Sequence, residues 1–226
     1  MLFLVLGRGK TGSLVAEVAH QRGHSVRVVG EEENRNAAAL TAPVLAGFDA
    51  VIDFTTPEAA VQNMRACLAT GAHMVVGTTG WYSHLDDMRA ICNRRGGALL
   101  YSPNFSVGVQ ALFRIAKEMA ISLHGYRFSI TETHHSWKKD APSGTALTLK
   151  KIVSAGNPEG QVEITSKREG EAVGIHEIEA RSDSDILTLR HEAFSRRGFA
   201  EGAVRAAEWI AGKTGCWDFQ EIVDQL

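Results

Sequence analysis

The 226-residue chain has only three cysteines, Cys67, Cys92 and Cys216, and no CxxC spacing. An odd count without paired spacing excludes a disulfide-stapled framework, argues against a structural zinc site and fits a reducing compartment. Charge of one sign is also lacking: 24 Lys and Arg stand against 26 Asp and Glu, a formal net charge of -2. That balance gives no general attraction for nucleic acid or an anionic membrane, so any anion must be held by a local site. Long apolar runs are missing too. The opening Met1 to Leu6 is cut off by Gly7, Arg8, Gly9 and Lys10, well short of a ~20-residue membrane span or a signal-peptide core. No export, no membrane anchor and a cytoplasmic location are therefore expected. There is no internal repeat or low-complexity tract, and 44% apolar with 22% charged residues is an ordinary globular composition.

What is present is alternation. Leu2 to Leu6, Ser25 to Val29, Phe48 to Phe54, His73 to Val76 and Ala98 to Tyr101 read as buried strands, separated by helical patterns and short glycine or Thr-Pro turns. Strands alternating with helices imply a doubly wound parallel sheet. The stripe Phe105, Val109, Leu112, Phe113, Ala116, Ala120 and Leu123 gives a long bridging helix. From Tyr126 the pattern becomes period-2, with further strands at 162–166, 174–180 and 186–191 and a helix over 143–154. The expected fold is α/β: an N-terminal Rossmann-like doubly wound parallel sheet with a C-terminal α+β open mixed-sheet domain. Residues 1–104 would bind a dinucleotide, a C-terminal helix within 200–226 would pack back on them, and 105–199 would bind substrate and oligomerise.

Gly7, Gly9 and Gly12 satisfy GxGxxG between a strand and a helix, the context that makes this pattern informative. Its glycines permit a tight turn and let backbone N–H groups approach a pyrophosphate. A triphosphate P-loop is set aside because it needs glycine where Leu4 stands. Glu31, about 20 residues on, is placed to accept hydrogen bonds from the ribose hydroxyls. Glu32 and Glu33 are read as a solvated acidic turn. A 2'-phosphate would bring ~1.5 to 2 negative charges beside Glu31, a repulsion of order several kcal/mol unless a cation intervenes. NADH is favoured over NADPH on that ground, with Arg8, Lys10 and Arg35 as the available cations. The loops Gly77–Gly80 and Ser102–Phe105 follow strands, where open parallel sheets form their ligand crevice.

The densest chemistry is ITETHHSWKKDAPSGTAL, Ile130 to Leu147. Glu132 and His134 share a strand face and His135 points to the other. A carboxylate beside an imidazole fixes its tautomer and raises its basicity. Adjacent strand histidines diverge and no cysteine lies nearby, so no metal is expected. Ser143 can cap the next helix, and the N–H groups of Gly144 and Thr145 form a cradle for a carboxylate. Lys138 can pair with that anion or deliver a proton.

The run EtHHswKkDAPSGTA resembles the signature of the 4-hydroxy-tetrahydrodipicolinate reductase (dihydrodipicolinate reductase) family of lysine and diaminopimelate biosynthesis. DFTTPE (53–58), VVGTTG (75–80), PNFSVGV (103–109) and FAEGAVRAAEWI (199–210) resemble it in the same order. The resemblance implies NAD(P)H-dependent reduction of a small dicarboxylate heterocycle with loss of water. Carried over by position, His134 is an acid/base residue, Lys138 a proton donor that also holds substrate, and His135, Ser143, Gly144 and Thr145 substrate contacts. NADH or NADPH would be bound by Gly7, Arg8, Gly9, Lys10, Thr11, Gly12, Glu31, Gly77, Thr78, Thr79, Ser102, Pro103, Asn104 and Phe105.

Three departures from the family pattern stand out. The glycine loop is one residue shorter than GxxGxMG. Glu32 stands where an arginine often meets the 2'-phosphate. Only RSDSD joins Ala180 to Ile186, where the family has a longer strand-loop-strand with a GD..GEH motif in its intersubunit sheet. A homo-oligomer is expected, dimer or tetramer. A related dehydrogenase of another carboxylated substrate and a non-catalytic dinucleotide sensor are the alternatives.

Overall fold

Aliphatic runs bounded by glycine or polar turns become the strands of two separate sheets, one in each of two units. The computed structural model describes residues 1–158 and 160–226. One unit is Met1–Ser106 with Arg197–Leu226, and the other is Val107–Arg196.

The first unit runs β1 (Leu2–Leu6), α1 (Lys10–Gln21), β2 (Ser25–Val29), α2 (Ala42–Leu45), β3 (Ala50–Asp53), α3 (Pro57–Ala69), β4 (His73–Val76), α4 (Leu85–Arg95) and β5 (Ala98–Tyr101). The second holds α5 (Val107–Ser122), β6 (Arg127–His134), α6 (Gly144–Gly156), β7 (Glu163–Arg168), β8 (Gly174–Arg181) and β9 (Ile186–Ala193). The chain then returns to the first unit with α7 (Arg197–Ile210), β10 (Gly215–Asp218) and α8 (Phe219–Ile222).

In the first unit the sheet order is β10-β5-β4-β3-β1-β2, with every pairing parallel. Successive residues of β1 feed opposite layers: Phe3 and Val5 pack with Val15, Val18 and Ala19 of α1 and with α7, while Leu4 and Leu6 pack with Met64 and Leu68 of α3. A strand buried on both faces reads as an unbroken apolar run, which is why these strands stand out in the sequence. Each such side chain contributes ~1.5 to 3 kcal/mol on burial. Helix α3 starts where Thr56 accepts the Ala59 N–H at 3.4 Å, with Pro57 in its first turn.

The helix expected within 200–226 is α7, and the segment after it holds a strand that the sequence does not suggest. That helix ends at Ile210, the Gly212 to Gly215 turn interrupts it, and Gly215–Asp218 adds a sixth parallel strand beside β5. Four residues are too few to show a period, so the sequence pattern gives no sign of this strand.

The second unit has the order β7-β6-β8-β9, with β6 parallel to β7 and antiparallel to β8, and β8 antiparallel to β9. Phe128 and Ile130 of β6 and Ile178 and Ala180 of β8 form its core with α5 and α6. The shortened connection is a tight turn in which Ser182 Oγ donates to Asp185 at 2.7 Å. No helix among the described residues is long and apolar enough to cross a membrane.

Candidate active site

In the first unit the strand order reverses between β1 and β3, the position where open α/β sheets form a ligand crevice. Gly7 ends β1 with φ +104°, and a Cβ there would lie 2.3 Å from the Phe54 carbonyl oxygen. A Cβ on Gly12 would lie 2.1 Å from the Gly7 carbonyl oxygen, so only glycine lets α1 approach β1 this closely. Gly9 differs, because a Cβ there would meet nothing within 4 Å, and as N-cap of α1 it makes no side-chain capping bond. A bare helix start facing open space suits a phosphate, so the residues present fit a dinucleotide.

A cleft of about 440 Å³ is lined by Gly7, Arg8, Gly9, Glu31 and Arg35. Another of about 310 Å³ shares Gly9 and adds Lys10, Thr11, Gly77, Thr78 and Thr79. Glu31 thus lines the same cleft as the glycine loop. Glu33 is more than a solvated residue: it accepts the Gly30 N–H at 2.9 Å and pairs with Arg8 at 2.7 Å. The Gly30 hydrogen bond, followed by the Arg8 charge, holds the Glu33 carboxyl below its ordinary range.

Asp53, in the DFTTPE motif, organises the loops of this cleft, a role its spacing in the sequence does not reveal. Fully buried, it accepts from Thr55 N at 3.0 Å, Thr55 Oγ1 at 2.7 Å, Asn63 Nδ2 at 2.7 Å and Thr78 Oγ1 at 2.9 Å. Burial pushes this carboxyl up and the four donors oppose it. Asp53 thereby ties the loop after β3 to the loop after β4. In the loop after β5, Ser102 Oγ donates to the Asn104 carbonyl at 2.8 Å and accepts its N–H at 3.1 Å. Pro103 is exposed, whereas the Phe105 ring is a core side chain against Phe219, with centroids 4.7 Å apart. The expected cofactor contact at Phe105 is corrected for its ring, which has no free surface.

In the second unit the apolar face of β6 continues past Ile130 into Glu132 and His134, both buried. The register sets Glu132 opposite His176 of β8. His134 Nδ1 lies 3.2 Å from Glu132 Oε2, without the alignment of a full hydrogen bond, and His176 Nε2 lies 4.0 Å from the same oxygen. The other oxygen, Oε1, accepts from Arg168 Nη2 at 3.0 Å and from the Ser143 N–H at 3.1 Å. Burial alone would raise the Glu132 carboxyl, but hydrogen bonds from Ser143, Ser166 and Arg168 overcome it and hold it at about 2. Burial lowers His134 despite the Glu132 charge, and burial followed by His134 lowers His176 to about 4. At neutral pH this is one carboxylate between two uncharged imidazoles.

Adjacent histidines do diverge: His135 stacks on Trp137, with centroids 4.5 Å apart. The third partner, His176, comes from a strand distant in sequence. The candidate ligand atoms of Glu132, His134 and His176 all lie within 4.8 Å of one another. A metal there would have to share its carboxylate with the Arg168 guanidinium, so the cluster is read as a carboxylate flanked by two imidazoles. Lys138 Nζ pairs with Asp140 Oδ1 at 2.7 Å and lies close enough to lower His134.

Ser143 is buried, and its Oγ accepts the Ala146 N–H at 3.3 Å and lies 3.3 Å from His176 Nε2. Its hydroxyl faces the interior as the cap of α6, beside the expected carboxylate cradle. Gly144 is exposed, and a Cβ there would meet nothing within 4 Å.

Comparison with known proteins decides the family. The family model of the dihydrodipicolinate reductase N-terminus matches residues 1–105, and that of the C-terminus matches residues 108–223. The chain belongs to the dihydrodipicolinate reductase family.

A 4-hydroxy-tetrahydrodipicolinate reductase of Natronomonas pharaonis is 37% identical, over 95% of this chain and 96% of the relative. Another from Christiangramia forsetii is 32% identical, over 100% and 99%. The solved dipicolinate-bound dihydrodipicolinate reductase of Paenisporosarcina sp. TG-14 shares the fold at a TM-score of 0.79 and 21% identity, covering 100% of this chain and 99% of that one. Dihydrodipicolinate reductases are NAD(P)H-dependent oxidoreductases of lysine and diaminopimelate biosynthesis, and this chain takes that activity with its family.

Proposed function

We propose that the chain reduces 4-hydroxy-tetrahydrodipicolinate to tetrahydrodipicolinate with the residues described above in defined roles. Loss of the hydroxyl as water leaves an unsaturated cyclic imine, and a hydride and a proton then saturate one double bond. The reduced nicotinamide supplies the hydride when bound. The glycine loop from Gly7 to Gly12 takes the pyrophosphate, Glu31 the ribose, and Gly77, Thr78 and Thr79 with the loop from Ser102 to Asn104 the nicotinamide end. NADH is favoured because Glu31 lines the cleft where the ribose would sit, Glu32 and Glu33 follow it, and Glu33 already pairs with Arg8. Gly144 and Thr145 receive a substrate carboxylate at the start of α6, and His135 makes a further substrate contact. Because burial keeps His134 uncharged, the proton comes from the Lys138 ammonium, and His134 accepts hydrogen bonds at Nε2.

The observation that carries this reading is the convergence of Glu132, His134, His176 and Ser143 beneath the SGTA helix start. Assembly into a homo-oligomer is part of the proposal. Ile186, Leu187 and Phe194 are exposed, Phe194 at 89%, which suits a covered surface on the β9 edge. Nucleic acid is not a partner, and the setting is the cytoplasm.

The test is a coupled assay in which a synthase forms the substrate from pyruvate and aspartate semialdehyde, and NADH or NADPH consumption is followed. Turnover is expected with both cofactors and a lower KM for NADH. Tight cofactor binding without turnover would instead support a dinucleotide sensor.

A further inference from the structure

Each strand of the second sheet contributes one polar residue to a row on the helix-covered face. Ser166, Glu132, His176 and His191 are successive register partners across β7, β6, β8 and β9. A polar row inside an apolar face costs burial free energy, and such groups persist where every member is satisfied or has work to do. Glu132 is its centre. We infer that Glu132 is a positioning residue that joins the two halves of the substrate site, with Oε1 fixing the carboxylate cradle through Ser143 and Oε2 fixing the His134 imidazole. This rests on the reductase reading above.

The geometry supports it from both sides. The Ser143 N–H, one residue before the cradle, is spent on Oε1 at 3.1 Å, so the start of α6 cannot tilt without losing a hydrogen bond to a buried charge. Arg168 holds the same oxygen and also reaches the Asp140 carbonyl, which closes the loop from Asp140 to Ser143 onto the sheet. On the other side, Oε2 lies 3.2 Å from His134 Nδ1, closer than the 4.0 Å to His176 Nε2. A carboxylate there selects the tautomer with its proton on Nδ1 and leaves the lone pair on Nε2. Nε2 is directed past Gly174, where a Cβ would stand 3.2 Å away. The charged and titratable groups that face His134 are Glu132 on its own strand, Arg168 of β7 in register with it, His176 of β8 with ring centroids 5.2 Å apart, and Lys138 and Asp140 in the loop. Glu132 and Asp140 are the anions among them, and Glu132 has the larger effect on His134.

The test uses full-length E132Q and E132D with wild type in the coupled assay, and dipicolinate as a binding probe. In E132Q, kcat is expected to fall ~100-fold through the misoriented imidazole and KM to rise ~tenfold through the loosened cradle. Dipicolinate affinity should fall in step with KM, NADH affinity should stay within ~twofold, and E132D should recover part of the loss. Without the facing carboxylate His134 protonates at lower pH, so the acid limb of the kcat profile moves down. Unchanged KM and an unmoved acid limb in a folded E132Q would overturn the inference. Should E132Q fail to fold, side-chain ¹⁵N spectra of wild type decide: the Nδ1-protonated tautomer of His134 supports the inference, and the Nε2-protonated form overturns it. Inactive wild type would count against the reductase reading alone, because the tautomer is measured without turnover.

Discussion

Replacing His176 by glutamine tests how the buried row responds to acid. His176 is 4% exposed and sits 4.0 Å from Glu132 and 3.3 Å from Ser143. Burial, followed by His134, takes it from the ordinary histidine value of 6.5 to about 4. A folded value below the unfolded one means that the unfolded chain takes up the proton first. The contribution is therefore complete above pH 6.5 and is lost as pH falls toward 4. A shift of this size corresponds to roughly 3 kcal/mol. Glutamine keeps a polar group for Ser143 but does not titrate, so between pH 7 and 4 the variant should lose about 3 kcal/mol less than wild type. Glu132 adds a loss common to both proteins only below its ordinary 4.5, toward 2. Urea unfolding is followed by fluorine NMR of fluorotryptophan-labelled protein, in which Trp137 is the only tryptophan of the second unit. Parallel stability curves for wild type and H176Q across this window would refute the reasoning.

K138A removes the proposed proton donor and should lower kcat by ~100 to 10,000-fold. NADH affinity measured by fluorescence titration should change little, and an equal loss of both would count against the assigned role. E31A should weaken NADH ~tenfold and NADPH less, since a hydrogen bond to a charged group is worth ~1.5 to 3 kcal/mol and only the unphosphorylated ribose uses it. An unchanged preference in competition titrations would remove Glu31 from the ribose. G12A places a Cβ 2.1 Å from the Gly7 carbonyl oxygen, so the loop must shift and NADH affinity should fall by at least ~tenfold. Dipicolinate affinity in the absence of cofactor should hold, and normal NADH binding would show that the loop does not contact the phosphates.

The parallel sheet was legible because strands buried on both faces leave unbroken aliphatic runs between glycine turns, as in Leu2–Leu6 and Ala98–Tyr101. β10 was not, because its partner β5 lies more than a hundred residues away and Cys216 and Trp217 show no period. Local spacing also exposed His134, Lys138 and the SGTA cradle, since they share one short segment. It could not reveal His176 or Arg168. Both reach Glu132 only through the pairing of β6 with β8 and β7, and an isolated histidine or arginine carries no mark of its strand partner. Ser143 is legible as a helix cap, and its hydroxyl accepts the Ala146 N–H in that role. Glu33 is exposed, as a run of three acidic residues suggests, but the run does not show that this one accepts the Gly30 N–H and pairs with Arg8.

The most direct measurement is the fate of the transferred hydrogen. NADH labelled with deuterium at the reactive face of nicotinamide C4 is given to the purified chain with synthase-generated substrate, and the product is analysed by mass spectrometry. One deuterium in the tetrahydrodipicolinate ring, absent when the chain is omitted and lost in proportion to kcat in K138A, is the expected result. Unlabelled product, or no product while the chain still binds NADH tightly, would contradict reduction by this protein.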